Sequence, residues 1–364
     1  MRWPRWLAGA VALCAISAPP VLARSSTPER PHVFVIVLEN KTYEVTFGAD
    51  SPAPYLAETL PAQGALLRQY YGTGHVSLDN YISMVSGQAP NPQTQSDCQF
   101  FTDFVSLTGG ALDGNGQAVG TGCVYPANVR TVADQLESAG FTWKGYMEDM
   151  GTPCRHPAVN SRDETQSAKV GDQYAARHNP FVYFHSIIDD PARCAAHVVD
   201  LKALPADLAS EKTTPAFSFI SPNLCNDGHD APCVDGKPGG LVSADAFLQE
   251  WVPRITSSPA FAKNGVLIVT FDEAEVGDAA TDTRACCHEP TGPNTLMPGI
   301  VGPGGGRTGT VVLGPKIRPG TVSDEPYNHY SLLRTFEDLF GLTHLGFAGQ
   351  AGLRAFGGDV FTGG

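Results

Sequence analysis

Six apolar residues in succession, Val33 to Leu38, run directly into Glu39-Asn40 with no turn signal between them. A continuous apolar run of this length predicts a strand buried on both faces rather than one alternating between core and solvent. The pattern recurs twice. The stretch from Val266 to Phe271 releases Asp272-Glu273, and "AFSFISPN" (216–223) leads into "SPNLCNDGHD", which carries Asp227, His229 and Asp230. "FTWKGYMED" and "TGTVVLGPKI" read as further strands. Between the strands lie helical patterns. "SLDNYISMVSGQ" places Leu78, Tyr81, Ile82 and Val85 at helical spacing, with Ser77 positioned to cap its start. "TVADQLESAG" is a helix stopped by Gly140, "DAFLQEWVPRI" a helix broken by Pro253, and "NHYSLLRTFEDLFGL" an amphipathic helix. Strands alternating with helices imply an α/β fold with a mainly parallel central sheet and helices on both faces.

The polar ends of the strands are the candidate chemistry. In open α/β sheets ligands collect at the carboxyl ends of strands, so three runs ending in carboxylates, an amide and an imidazole should meet at one edge. One acidic strand end is unremarkable, since Asn40 can open a turn and Glu39 can be solvated. Three together point to an oxygen-rich site for a hard or borderline divalent cation, with calcium, magnesium and zinc all compatible. Ser77 follows the glycine-containing loop of "YYGTGHVSLDNY" and opens a helix, where free backbone N–H groups favour an anion such as a phosphoryl group. A metal touching its Oγ would make an alkoxide nucleophile available near neutral pH. Serving only as an N-cap is the commoner role for such a serine. Asn80, one turn later, could donate its amide to a phosphate oxygen. A Ser-His-Asp hydrolase is the competing reading, but "GHVSL" lacks the glycine that a nucleophile elbow has after the serine.

Composition narrows the setting. Residues 1–23 read as a secretory signal peptide, with Arg2 and Arg5 before "LAGAVALCAIS" and a cut after Ala23, so the chain is expected to be secreted or periplasmic. The mature chain 24–364 is long enough for one large α/β domain or two ordinary ones, with a loop-rich insertion around 88–125. Losing Arg2 and Arg5 takes the formal charge from -13 to -15, which argues against nucleic acid or anionic membranes as partners, and no integral membrane segment is expected. Removing Cys14 with the leader leaves eight of the 9 cysteines, an even number that favours disulfides in an exported chain. Cys98 with Cys123 and Cys225 with Cys233 are plausible short-loop pairs. Cys286-Cys287 is expected to pair with distant partners rather than bind metal. Oligomeric state is unreadable.

The segments "VFVIVLENKTYEVTFG", "YYGTGHVSLDNYISMVSGQ", "WKGYMEDM", "RHNPFVYF", "SFISPNLCNDGHD", "LIVTFDEA" and "YNHYSLLRTFEDLFGL" follow one another in an order that resembles a bacterial phosphoesterase family. That family contains secreted acid phosphatases, phosphatidylinositol-3-phosphatases and phosphatidylcholine-type phospholipases C, within the alkaline phosphatase superfamily. The resemblance spans roughly Val33 to Leu342 and implies an alkaline-phosphatase-like fold in a single phosphoesterase domain. It implies a divalent metal on Glu39, Asn40, Asp272 and Glu273, with Asp227 as a further candidate ligand, and Ser77 as nucleophile. Asn80 would bind phosphate, His229 of the D-x-H element would protonate the leaving alkoxide or contact phosphate, and His329, matching the histidine that opens the last helix, would be a further substrate- or phosphate-binding residue. The chain departs from the phospholipase-like members in reading "DEAEVGD" after the carboxylates and Asp230 after His229, which favours the shorter phosphatase branch. His75, two residues before Ser77, and Lys144, after "FTW", are further candidates for phosphate contact. His178 in "RHNPF" reads as a structural hydrogen-bonder. The expected function is a metal-dependent phosphomonoesterase acting on a phosphate ester, with a phosphoinositide as one candidate substrate, through a phosphoserine intermediate. The alternatives are a phospholipase C-type phosphodiesterase and a binding protein that has lost catalysis.

Overall fold

The computed structural model describes residues 1, 3–4, 31–275 and 281–361. The expected leader, apart from residues 1, 3 and 4, lies outside them. An eight-stranded sheet forms the centre. Its strands in chain order are β1 (His32–Leu38), β2 (Ala65–Leu67), β3 (Trp143–Met147), β4 (Val198–Asp200), β5 (Phe217–Ser221), β6 (Gly265–Phe271), β7 (Thr310–Leu313) and β8 (Thr321–Ser323). Across the sheet the order is β8-β2-β7-β6-β1-β5-β3-β4. Strand β1 pairs in parallel with both β5 and β6, and the parallel set continues through β3 to β4. Only β7 within this sheet runs against its neighbours. The sheet is therefore mainly parallel, as the strand–helix alternation implied.

The unbroken apolar run of β1 has a direct cause: both of its faces are covered. Val33, Val35 and Val37 face a core shared with helices α1 (Ser77–Ser86), α2 (Val132–Ser138) and α5 (His329–Phe340). Phe34, Ile36 and Leu38 face a second core built on α3 (Gly240–Thr256) and α4 (Pro259–Asn264). All seven residues of β1 are buried, so truncating one, such as Ile36→Ala, would cost about 2–5 kcal/mol. Among the described residues no helix is long and apolar enough to cross a membrane.

Three expectations are corrected here. Helix α3 is not broken at Pro253 but continues to Thr256. Pro253 forfeits one backbone bond in the last turn, while Trp251, Val252 and Ile255 keep that turn anchored in the core. Ser77 does not cap α1. It is the first helical residue, and Val76 takes the cap position. Cys286 and Cys287 are bonded to each other, because the other six described cysteines are already joined as Cys98–Cys123, Cys154–Cys194 and Cys225–Cys233. The two short-loop pairs expected from the sequence are among them. In the segment 88–125, buried amides order the backbone: Asn91 Nδ2 donates to the Gly122 carbonyl at 3.0 Å and Gln117 Nε2 to that of Gly87 at 2.8 Å.

Candidate active site

The parallel strands β1, β5 and β6 end at one edge, and their polar continuations meet there. Glu39, Asp227, Asp272 and Glu273 are all buried, which is exceptional for carboxylates unless they are paired. Ser77 donates from Oγ to Glu39 Oε2 at 2.8 Å, and Tyr81, one turn further along α1, donates to Oε1 at 2.7 Å. Asp272 Oδ1 accepts from the backbone N–H of Asn40 at 3.0 Å and of Glu273 at 2.6 Å. The chain ends of β1 and β6 are thus tied to each other as well as to the serine.

The loop before Ser77 is shaped by close approach. A Cβ on Gly72 would fall 2.7 Å from the Asp272 carbonyl oxygen, and one on Gly74 would fall 2.4 Å from Asp79 Oδ1. Glycine is what lets this loop lie against the strand end. Val76 has φ 83, a strained conformation for a β-branched residue, and its N–H donates to both oxygens of Glu273 at 3.0 Å. His75 Nδ1 also pairs with Glu273, and its Nε2 meets the Asp282 carbonyl at 2.9 Å. His75 therefore belongs to the site, as a partner of a carboxylate.

Asn80 works differently from the expected phosphate donor. Its Oδ1 accepts from the N–H groups of Thr73 (2.9 Å) and Gly74 (3.0 Å), and its Nδ2 donates to the Gly74 carbonyl at 2.9 Å. The amide pins the loop that delivers Ser77. His329 is also fully engaged, with Nδ1 against Tyr70 Oη at 2.9 Å and Nε2 against the Asp272 carbonyl. Lys144 is not in the site. It is the second residue of β3, at the far end from the edge, and its Nζ pairs with Asp207 at 2.7 Å. The expectation placed it by its sequence neighbourhood, whereas the polar residues that continue β3 toward the site edge are Glu148 and Asp149.

His178, read from the sequence as structural, lies inside the cluster. Its Nε2 is 3.4 Å from Glu39 Oε1 and its Nδ1 is 3.5 Å from Asp227 Oδ2, while Tyr81 stacks on the ring at 5.3 Å with planes 9° apart. Neither nitrogen has a hydrogen-bond partner. Burial, helped by the neighbouring Arg177, holds its pKa well below the ordinary histidine value. His229 differs: the hydrogen bond it donates to the Asp230 carboxylate raises its pKa, outweighing partial burial. Arg177, Asp97 and Tyr81 are further residues of this edge that were not singled out. "RHNPF" and "SLDNY" were noticed as motifs, but nothing in their spacing says which member points inward.

Burial and mutual repulsion govern the electrostatics of these carboxylates. Burial first, then the charge of Glu39, pushes the Asp227 and Asp272 carboxyls well above the usual range. Burial likewise raises Glu273 to about 7, against the pull of His75. Asp227 Oδ2 and Asp272 Oδ2 are buried with no hydrogen-bond partner. One atom of the Asn40 amide lies 3.3 Å from Asp272 Oδ1 and 3.1 Å from Glu273 Oε1, and the other lies 3.3 Å from His229 Nε2. As nitrogen the first atom donates to both carboxylates; as oxygen it joins them as a ligand. Orphaned carboxylate oxygens beside an amide are donor types that suit a hard divalent cation, so the chemistry of these residues fits one, although no three of the carboxylates are drawn together into a close ligand group.

Residues 52–343 match the model of the Phosphoesterase family. The chain belongs to that family. Among similar curated proteins is a phosphatidylinositol-3-phosphatase of Mycobacterium tuberculosis, 28% identical over 330 residues, covering 91% of this chain and 83% of that protein. A probable acid phosphatase of Kluyveromyces lactis is 25% identical over 316 residues, covering 86% of this chain and 59% of its own length. An acid phosphatase of Aspergillus fumigatus is 27% identical, covering 86% of this chain and 55% of its own. The chain spans little more than half the length of these two fungal relatives. Among solved structures, a Vibrio parahaemolyticus protein of the alkaline phosphatase superfamily aligns with TM-score 0.50 and 14% identity over 86% of this chain and 67% of the other. The lipoteichoic acid synthase LtaP of Listeria monocytogenes aligns with TM-score 0.50 and 12% identity over 91% and 75%. These likenesses establish the alkaline-phosphatase-type fold of this phosphoesterase family member.

Proposed function

We propose that this protein is an exported, metal-dependent phosphomonoesterase that acts through Ser77 and a phosphoserine intermediate. The observation that carries the reading is the hydrogen bond from Ser77 Oγ to Glu39 where the buried carboxylates of three strand ends converge. Glu39, Asn40, Asp272 and Glu273 would hold a divalent cation, with Asp227, whose backbone carbonyl accepts from the Glu39 N–H at 2.8 Å, as a further candidate ligand. When bound, that cation supplies Lewis acidity, lowering the serine hydroxyl pKa and offsetting charge on the phosphoryl group.

The chain's own residues do the rest. The loop fixed by Asn80 and the strained Val76 hold Ser77 at the helix start, so its oxygen is positioned for in-line attack on phosphorus. First-turn N–H groups of α1 favour the anion that forms there. Asp230 keeps a proton on His229 at mildly acid pH, and that proton goes to the leaving alkoxide as the P–O bond breaks. The Ser77 hydroxyl proton passes to Glu39 as the oxygen attacks; water then hydrolyses the phosphoserine, giving one proton back to His229, and the freed serine oxygen recovers its proton from Glu39. The names of the mycobacterial and fungal relatives support a monoester substrate, and the mycobacterial one supports a phosphoinositide headgroup in particular.

The test is hydrolysis of p-nitrophenyl phosphate, p-nitrophenyl phosphorylcholine and phosphatidylinositol 3-phosphate by purified protein of measured metal content. Monoester turnover that stops on chelation and falls by ~10³-fold or more in Ser77→Ala is expected. Preference for the choline diester would move the protein to the phosphodiesterases, and full activity in Ser77→Ala would overturn the nucleophile.

A further inference from the structure

The site as described holds four buried carboxylates and is to accept a phosphoryl dianion as well. A single divalent cation does not balance that charge, and Lys144 is elsewhere. Lys41, beside Asn40, turns its Nζ onto the Asn40 carbonyl at 2.9 Å and lies 3.8 Å from Glu275. Arg177 is placed differently. It lies in the short turn Ala176–His178, adjacent to the imidazole that sits between Glu39 and Asp227, and it is 9% exposed. The charges of Asp97, Glu39 and Asp227 act on it and favour its protonated form against burial.

The hydrogen bonding of Arg177 is incomplete. Nη1 donates to the Gln166 carbonyl at 2.9 Å, which anchors one end of the guanidinium. Nε lies 3.5 Å from Asp97 Oδ2, an ion pair, and is buried with no hydrogen-bond partner. A buried N–H without an acceptor costs about 1–3 kcal/mol, so a purely structural arginine would not be expected to leave it open. Asp97 carries the geometry to the nucleophile. Held in the left-handed region at φ 52, it accepts through Oδ1 from the backbone N–H of Leu78 at 3.0 Å, the residue after Ser77. One carboxylate thus links the guanidinium to the helix start that would bear the phosphoryl group.

We propose that Arg177 is the phosphate-binding cation of this site and that Asp97 is the residue that positions it. The inference rests on the phosphoesterase reading and adds to it the group that recognises the anion. The planar fork of Arg177 offers donors to two phosphoryl oxygens, a geometry a lysine does not reproduce. Asp97 keeps the fork aligned when no substrate is bound.

The experiment measures competitive inhibition by inorganic phosphate, and kcat/KM on p-nitrophenyl phosphate, for wild type, Arg177→Gln, Arg177→Lys and Asp97→Asn. Metal content and melting curves are recorded for each. Arg177→Gln is expected to weaken phosphate inhibition and lower kcat/KM by ~10–100-fold with metal content unchanged, and added guanidinium at millimolar concentration to restore part of the activity. Asp97→Asn is expected to give a smaller loss that disappears in the Arg177→Gln background, since a positioning residue acts only through what it positions. Unchanged phosphate inhibition in an active Arg177→Gln protein overturns the proposal. If Arg177→Gln does not fold, Arg177→Lys decides: weaker inhibition than wild type supports the fork, and equal inhibition overturns it. Should wild type hydrolyse no ester, the enzymatic reading has failed by itself. Calorimetric titration of wild type and Arg177→Gln with phosphate then judges the binding role, equal affinities overturning it.

Discussion

Two acidic clusters in this molecule, one half-buried and one fully buried, have opposite characters. Around Asp134 and Glu137 on α2, every charge is met. Arg193 Nη2 lies 3.0 Å from Asp134 Oδ1, and its Nε lies 2.9 Å from Glu137 Oε2. Asp134 Oδ2 also receives Thr131 N–H and Oγ1 at 2.8 and 2.9 Å and Ser186 Oγ at 3.0 Å, while Trp143 Nε1 donates to Glu137 at 2.7 Å. At the strand ends the balance is reversed. Glu39, Asp227, Asp272 and Glu273 crowd together, two oxygens lack any partner, and the imidazole among them donates to nothing. A cluster that holds the fold satisfies itself, whereas one built for a ligand leaves its last contacts open.

The sharpest way to break this contrast is to remove charge from the open cluster. Glu39→Gln is expected to lower turnover by about 10²–10³-fold and to reduce bound metal, yet to leave the melting temperature of the metal-free protein unchanged or higher. A large fall in that melting temperature would mean the carboxylate is a structural member after all. The converse change is Arg193→Ala in the closed cluster. It should cost about 1–3 kcal/mol in denaturant unfolding, because two carboxylates lose a charged partner while keeping their other donors, and activity per folded molecule stays at wild-type level. Loss of activity at full stability would erase the distinction.

A smaller effect separates open from closed at a third place. Glu337 on α5 receives the Leu345 N–H at 2.7 Å, but its other oxygen is unpartnered, and burial raises its pKa to about 8. A folded-state pKa above the ordinary carboxylate value means its favourable contribution is complete below about pH 4.5 and is lost as pH rises toward 8. Glu337→Gln should therefore melt about 2–4 °C above wild type at pH 8 and equal it near pH 4.5. A difference independent of pH would show that the carboxyl does not titrate in this range.

The sheet was legible because the strands that build it are covered on both faces, and a two-sided strand is an uninterrupted apolar run. The acidic strand ends were legible for the same reason, since Glu39 and Asp272 stand out against such runs. What could not be read were contacts that depend on direction. Lys144 and Glu148 share a segment, but only the chain's sense within β3 says which one nears the edge. Asn80 was correctly placed one turn after Ser77, yet its amide folds back onto the loop, accepting from the Thr73 and Gly74 N–H groups and donating to the Gly74 carbonyl. His178 and Arg177 come from a 3₁₀ turn, where no periodicity tells inward from outward residues.

The reversed direction of β7 has a consequence for how this protein can change over evolution. Because β6 ends and β7 begins at the same rim, the chain between them leaves and returns there, and its described parts meet the loop before Ser77, where His75 Nε2 reaches the Asp282 carbonyl at 2.9 Å and the Gly72 N–H reaches the Gly306 carbonyl at 3.0 Å. Additions or deletions in the outer part of that excursion shift neither anchored end, so they can reshape what surrounds the ester while the reacting groups stay put. Diversity of substrates among proteins with this architecture therefore has a natural address, and it is a single stretch of chain.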